Sequence, residues 1–303
     1  MKQSFSKQGL MLVYPGFQNE AKIYQCNRIV EEFQTLGIQI DKIKVDEMFL
    51  EIEKGKSNVT LDKYDFCIQL VKDKYIDALL QKHHIRSFNT YEATENCDDK
   101  FMTYCLLADH DIKMPTTICG MTNTGVEKID KIEIPESYIN YVEKKLGYPL
   151  IVKKSNSKGG RDIYKIDNRE MLEEICDKIK GTPYMFQEFI DVNTGKDIRT
   201  VVVGKKLVGS IMRINENDFR SNISLGGKSI KYTVTDAYKK IAEKVATILN
   251  LDYCSVDFFL TEDNEPIICE VNADPALTAI EKLGEVNVAK AYAEYIFKEI
   301  YGE

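Results

Sequence analysis

The chain has 303 residues, of which 44% are hydrophobic and 29% charged, with a formal net charge of -7. That length allows two or three domains with sizeable cores, and an acidic balance without any long basic run argues against nucleic acid as a partner. No apolar run approaches the roughly 20 residues of a membrane span, and the opening MKQSFSKQG lacks the apolar core of a signal peptide, so the expectation is a cytoplasmic protein with no membrane partner. Eight cysteines are scattered singly with no C-x-x-C, which predicts reduced, mostly buried thiols. The three histidines have no metal-ligand spacing to those cysteines, which disfavours zinc, and His83 and His84 are expected at a surface helix end.

The run GLMLVYPG reads as a strand, and EAKIYQCNRIVEEFQTLG follows with Ile23, Cys26, Ile29, Val30, Phe33 and Leu36 at helical spacing and Gly37 as a stop. IQIDKIKV and YDFCIQL read as further strands and KYIDALLQKHH as a helix. This alternation predicts a parallel sheet up to about residue 95. The first turn has no G-x-G-x-x-G, so NAD is not expected there. A helix begins near DDKFMTYCLLADHD. After it, YPLIVKKSNSKGGRDIYKI predicts two strands joined by a loop of Ser, Asn, Lys and Gly that can wrap a phosphate, with Lys153, Lys154, Lys158 and Arg161 adding charge; an ordinary flexible hairpin is the alternative.

The helix NREMLEEICDKIK precedes the strand PYMFQEFI. KDIRTVVVGKKLVGSIMRI predicts a hairpin turning at Gly204 and Lys205, carrying Arg199 and Arg213, and the loop ENDFRSNISLGGKS holds Arg220 and Asn222. The helix TDAYKKIAEKVATILN leads to two last strands, YCSVDFFL and PIICEVN, and NVAKAYAEYIFKEI closes the chain as an amphipathic helix. In the second of those strands period-two alternation puts Glu270 and Asn272 on one face. A two-residue turn at Asp263 and Asn264 would set Asp257 opposite Glu270. Like charges directly opposite destabilise a hairpin by roughly 0.2 to 1 kcal/mol, so a cation is expected between them. Hard oxygen ligands suit Mg2+ or Mn2+. Solvated edge-strand polar residues are the alternative.

Four features therefore stand in order: a lysine-ended strand with a glycine loop, a strand ending QEFI, the loop DFRSN with GG, and carboxylates in VDFFL and CEVN. Together they resemble the ATP-grasp superfamily, and most closely its RimK-like amino-acid ligase branch, over roughly residues 98 to 300. The resemblance implies an ATP-grasp fold of α/β and α+β character. Its expected parts are an N-terminal parallel-sheet domain at 1–96, a central lobe with the glycine loop at 97–188 and a C-terminal lobe with a metal site at 189–303.

The activity implied is that of a carboxylate-amine ligase. ATP phosphorylates a carboxylate, and an amine attacks the acyl phosphate to give an amide, ADP and phosphate. By position, Lys153 and Lys100 match phosphate-contacting lysines, with Lys158 and Gly160 in the glycine loop; Gln187, Glu188 and Phe189 match the adenine-edge segment and Asp197 the acidic residue near the ribose. Arg220, Ser221 and Asn222 match the phosphate and substrate loop, and Asp257, Glu270 and Asn272 match the ligands of two Mg2+ (or Mn2+) ions. Arg199 and Arg213 are candidates to hold a substrate carboxylate or the transferring phosphoryl group, with solvated hairpin arginines as the alternative.

Two stretches depart from the branch's pattern: the glycine loop SNSKGGRD, and NADPALTAIE with Asp274, Ala276 and Thr278. The amine, expected to be an amino acid, and the carboxylate acceptor, a small molecule or a peptide, stay open, and a homo-oligomer is expected. Two other functions compete: a ligase tailoring a ribosomal precursor peptide, and a nucleotide-binding scaffold with a degenerate site, against which the intact Lys153, Asp257, Glu270 and Asn272 speak.

Overall fold

A computed structural model describes residues 7–16, 19–121 and 134–302. The first six residues, part of the stretch examined for a signal peptide, lie outside them. Among the described residues no helix is long and apolar enough to cross a membrane.

The chain opens with β1 (Lys7–Val13), α1 (Glu20–Thr35) and β2 (Ile38–Lys44). A small hairpin, β3 (Ile52–Glu53) with β4 (Lys56–Ser57), precedes β5 (Phe66–Gln69), α2 (Lys74–Lys82) and β6 (Arg86–Phe88). These give the predicted parallel sheet, in the order β2-β1-β5-β6. Asn19 caps α1, accepting from the Ala21 N–H at 2.9 Å, and Gly37 takes a φ of +72° just after it. Cys26, Ile29 and Phe33 bury the helix face as expected, but Ile23 is exposed. The polar Gln25 is buried instead, because its amide reaches across to Asp274 at 2.8 Å.

Two short helices, α3 (Tyr91–Asp98) and α4 (Lys100–Leu107), lead to a second, antiparallel sheet. Its strands are β7 (Thr117–Cys119), β8 (Leu150–Lys154), β9 (Ile163–Ile166) and β10 (Tyr184–Glu188), in the order β7-β10-β8-β9, with α5 (Glu136–Leu146) and α6 (Arg169–Ile179) packed on it. The third sheet holds β11 (Lys196–Val203), β12 (Lys206–Ile214), β13 (Lys228–Lys231), β14 (Tyr253–Phe259) and β15 (Ile267–Asn272), in the order β13-β12-β11-β14-β15. α7 (Asp236–Ile248) covers one part of it, and α8 (Thr278–Gly284) and α9 (Val288–Tyr301) follow. The β11–β12 turn falls on Gly204 and Lys205, both at positive φ, as the sequence predicts.

The β14–β15 connection differs from expectation. Pro266 has no N–H to give to the ladder, so pairing starts only at Ile267, and the chain from Leu260 to Pro266 forms a loop closed by Thr261 bonding Glu265. Phe259 then faces Ile267 and Phe258 faces Ile268, one residue off the two-residue-turn count. An irregularity at Cys269 absorbs the difference and restores Asp257 opposite Glu270. The predicted pair is present, reached through a bulge rather than a tight turn.

Tyr292 and Ile296 of α9 share one buried cluster with Phe33, Phe66 and Phe88, so the last helix seals the amino-terminal sheet against the third one. Asn89 ties the same joint. Its amide nitrogen donates to the Tyr253 and Ala273 carbonyls, both at 2.7 Å, and its oxygen accepts from the Asp252 and Tyr253 N–H groups at 2.6 and 3.0 Å.

Candidate active site

Register brings charge together on one face of the third sheet. Asp197 and Arg199 are two apart on β11; Arg213 on β12 faces Asp197, and Asp257 on β14 faces Arg199. Arg199 donates to both oxygens of Asp257, Nε to Oδ1 at 2.8 Å and Nη2 to Oδ2 at 2.6 Å. Arg213 donates to Oδ2 of Asp257 at 2.8 Å, and through Nε to Asp197 Oδ1 at 2.7 Å. Burial pushes the Asp257 carboxyl up, but the adjacent Arg199 and Arg213 charges outweigh it and hold the group below its usual value. Burial likewise disfavours charge on Arg213, yet Asp257 and Asp197 raise its pKa.

Glu270 is met from another element. Asp99 caps α4, accepting from the Phe101 and Met102 N–H groups at 3.0 and 3.1 Å, which fixes the first residue of that helix. That residue is Lys100, whose ammonium lies 3.1 Å from Glu270 Oε1 and donates to the Ser157 carbonyl. Arg199 and Arg213 meet Asp257 and Lys100 meets Glu270, so part of the positive charge expected beside these carboxylates comes from the protein itself.

Of these side chains Lys100, Asp197, Arg213 and Glu270 border a cleft between the second and third sheets, of about 900 Å3 with its open solvent included. Lys100, Lys153, Gly160, Gln187, Glu188 and Phe189 line it from one side, and Asp197, Arg213, Arg220, Ser221, Asn222 and Glu270 from the other. Lys153, on β8, is 5% exposed, and no carboxylate among the described residues pairs with it; the Tyr104 ring lies 5.9 Å from the ammonium. Burial lowers its pKa. An ammonium kept out of water without a counter-ion is costly, so this position is poised for an anionic group entering the cleft.

Gln187 donates to Thr117 Oγ1 at 2.8 Å, and Glu188 turns its carboxylate to the Thr116 N–H at 3.1 Å while its own N–H bonds the Thr116 carbonyl at 2.9 Å. The Glu188 N–H is thus taken by the Thr116 carbonyl. The ring of Phe189 meets Phe219 edge-on at 6.2 Å.

The glycine loop is drawn against the loop after β12. Arg220 Nη1 donates to the Gly160 carbonyl at 2.8 Å, and Ser224 Oγ to the Gly159 carbonyl at 3.0 Å. Gly159 and Gly160 hold φ values of +69° and +75°, and a Cβ on Gly160 would stand 2.6 Å from Asn222 Oδ1. The rest of the Arg220 fork is held by Asp218 at 2.9 and 2.7 Å.

Four expected residues lie outside this cleft. Asp257 and Arg199 sit behind it in the network. Lys158 points away, pairing with Asp98 at 3.1 Å with 68% of its side chain exposed, and Asn272 faces a second cleft. That cleft, of about 1060 Å3, runs between the amino-terminal sheet and the third sheet and meets the first one at Lys100, Ser157 and Glu270. Tyr104, Phe219 and Gln69 were not singled out from the sequence. Tyr104 and Phe219 read there as apolar helix and loop positions, and Gln69 as the end of a buried strand; only the fold brings Phe219 and Gln69 to the clefts and the Tyr104 ring to 5.9 Å from the Lys153 ammonium.

Among the described residues no group of three His, Cys, Asp or Glu converges as in an all-protein metal cage. The set Asp257, Glu270 and Asn272 still fits a hard cation that completes its shell with other oxygens. Asp257 Oδ1 accepts one bond only, Glu270 Oε2 has no described partner, and the Asn272 amide is engaged only through nitrogen, at 3.5 Å from Ser255 Oγ.

The description of the RimK-like ATP-grasp domain matches residues 97–296. N-acetylaspartylglutamate synthase A of Homo sapiens is 33% identical over 218 residues, covering 71% of this chain and 53% of that protein. The chain spans about half the length of the synthases it matches. A probable alpha-L-glutamate ligase of Serratia proteamaculans is 29% identical over 291 residues, covering 91% of this chain and 93% of the other. Among solved structures, a D-alanine--D-alanine ligase of Bacillus anthracis complexed with ATP superposes with a TM-score of 0.68 at 15% identity, over 96% of each chain, a likeness of fold. With the family description spanning most of the chain and the whole of the cleft just described, the protein belongs to the RimK-like ATP-grasp family.

Proposed function

We propose that the protein is an ATP-dependent carboxylate-amine ligase. The observation that carries this is the meeting of the two clefts at Lys100 and Glu270, beside the buried, unpaired Lys153 ammonium. One cleft has a cationic floor suited to a nucleoside triphosphate, and the other opens where its terminal phosphate would lie.

In this account Phe189 and Phe219 flank the base, the backbone edge at Phe189 reads it, and Asp197 lies on the ribose side. Lys153, Lys100 and the N–H groups around Gly159 and Gly160 hold the phosphates. Asp257, Glu270 and Asn272 hold two Mg2+ ions, or Mn2+, which when bound neutralise charge on the phosphates. Arg199 and Arg213 act as positioning residues, fixing the Asp257 carboxylate at one angle and keeping it ionised. The carboxylate substrate enters from the second cleft. Its oxygen attacks the γ-phosphorus, ADP leaves, and the amine of an amino acid then attacks the acyl carbon and expels phosphate, so one amide forms for each ATP spent. Lys100 moves little in this sequence: it is already bonded to Ser157 and Glu270, at the point where charge passes between substrates. The three units proposed, 1–96, 97–188 and 189–303, then serve as the acceptor-side domain and the two lobes that enclose ATP. The working form is a homo-oligomer in the cytoplasm.

The test is ADP release from Mg-ATP with pooled amino acids and pooled carboxylic acids. Release that needs both pools supports the ligase; release indifferent to both removes it.

A further inference from the structure

The glycine loop between β8 and β9 is held from two sides. From the third sheet, Arg220 and Ser224 reach the Gly160 and Gly159 carbonyls at 2.8 and 3.0 Å. From the junction of α3 and α4, the Lys100 N–H donates to the Ser155 carbonyl at 3.0 Å and the Lys100 ammonium to the Ser157 carbonyl. All of these contacts fall on loop carbonyls. Among the described residues, Lys158 is the one member of the loop whose side chain makes a polar contact beyond the loop and the two strands it joins. Its partner is Asp98 Oδ1, at 3.1 Å.

Asp98, the last residue of α3, is itself anchored. Its other oxygen, Oδ2, takes the Lys72 ammonium at 3.0 Å, and Lys72, just after β5, also pairs with Glu95 at 2.7 Å. One carboxylate therefore takes one cation from the amino-terminal sheet and one from the glycine loop, in the wall of the second cleft. The side chains of Asp98 and Lys72 are 17% and 26% exposed, so that half of the bridge is shielded, whereas Lys158 is open to solvent. An exposed ion pair is normally weak because two flexible side chains must be ordered to form it. Here Lys72 has already fixed the carboxylate, and only Lys158 loses freedom.

Resting on the reading of this loop as a phosphate-binding element, we propose that Asp98 is a positioning residue. Through Lys158 it holds the glycine loop closed, and through Lys72 it fixes that closed position relative to the amino-terminal sheet. Lys158 then serves the nucleotide without touching it: its ammonium stays on Asp98 and steadies the N–H groups around Gly159 and Gly160 that meet the phosphates.

The loop carries its own reporter, because trypsin cuts after Lys158 and Arg161 when the loop opens. Cleavage after Arg161 is timed by mass spectrometry on the full chain without nucleotide, and Mg-ADP binding is measured by calorimetry on the same variants. Asp98→Asn and Lys158→Met each raise the cleavage rate about two- to fivefold, the worth of one ion pair, and weaken Mg-ADP binding by a similar factor. The double variant opens no further than either single one. Lys72→Met opens the loop less. Glu95→Gln removes a carboxylate of the same helix that does not meet Lys158, and it leaves both readouts at their wild-type values. Cleavage unchanged in Asp98→Asn and Lys158→Met, effects that add in the double variant, or an equal rise in Glu95→Gln overturns the proposal. Weaker Mg-ADP binding in Lys158→Met but not in Asp98→Asn also overturns it, since that is the mark of a lysine that touches phosphate directly. Cleavage that rises as stated in a protein that binds no Mg-ADP would leave the clamp standing and remove the nucleotide reading instead.

Discussion

Arg199 holds Asp257 with two parallel bonds, at 2.8 and 2.6 Å, and Arg213 shares the same carboxylate at 2.8 Å while also holding Asp197. Asp257 is fully buried, so its charge is sustained entirely by these two guanidinium groups. Removing one partner of a buried pair costs about 3 to 5 kcal/mol, because the remaining charges lose their compensation. Asp257→Asn is expected to lower stability by that order, read as a lower urea midpoint at unchanged m-value.

The same pair sets a pH dependence. The folded carboxyl of Asp257 titrates below its ordinary value, so its contribution is fully present above the unfolded carboxyl value near roughly 3.9 and is lost as pH falls through the lower folded one. Urea midpoints measured from pH 6 downward should fall more shallowly below pH ~4 in Asp257→Asn than in the wild type. Parallel acid limbs would show that Asp257 carries no such linkage.

Lys153→Met removes the buried, unpaired ammonium. Nucleotide affinity should drop by roughly ten- to a hundredfold, the worth of a charge-assisted bond, while Tm without ligand stays equal or rises, because burial of that charge is unfavourable. Unchanged ATP binding by calorimetry would place Lys153 outside the phosphate site.

Glu270→Gln has a sign that the sequence alone gets backwards. Two facing carboxylates suggest that losing one charge relieves repulsion. The structure instead pairs Glu270 with Lys100 at 3.1 Å, so the substitution strips a counter-ion from a buried lysine. Tm without ligand should fall modestly, and turnover should fall more than about a hundredfold, since about 3 kcal/mol of transition-state stabilisation is at stake. Normal turnover would remove Glu270 from the catalytic machinery.

Gly160→Ala tests the closed glycine loop. At φ +75°, with a Cβ 2.6 Å from Asn222 Oδ1, the loop must move off the Arg220 and Ser224 contacts. The KM for ATP should rise with only a small change in Tm, about 1 kcal/mol of stability or less. An unchanged KM would mean that the loop does not contribute to the nucleotide site.

Local pattern carried much of this fold. Helix α1 and the hairpin at Gly204 and Lys205 followed from periodicity and turn chemistry; Asp257 stands opposite Glu270 as expected, but through a longer loop offset by a bulge at Cys269, neither of which the tight-turn count contained. Long-range charge partnerships did not, because Lys100 and Glu270 are far apart in sequence and nothing local specifies that an ammonium at a helix start will reach a strand near the other end of the chain. For the same reason Lys158 could be placed on the glycine loop but not seen to turn toward Asp98.

The most direct test of the central claim is mass spectrometry of a reaction holding Mg-ATP, pooled amino acids and pooled carboxylic acids labelled with 18O in the carboxyl group. The account predicts ADP, a new species at the summed mass of one acid and one amine less labelled water, and one 18O atom in the released phosphate, because the acyl oxygen leaves with it. Phosphate released without label, or ADP formed with no condensed product, would contradict an acyl phosphate ligase.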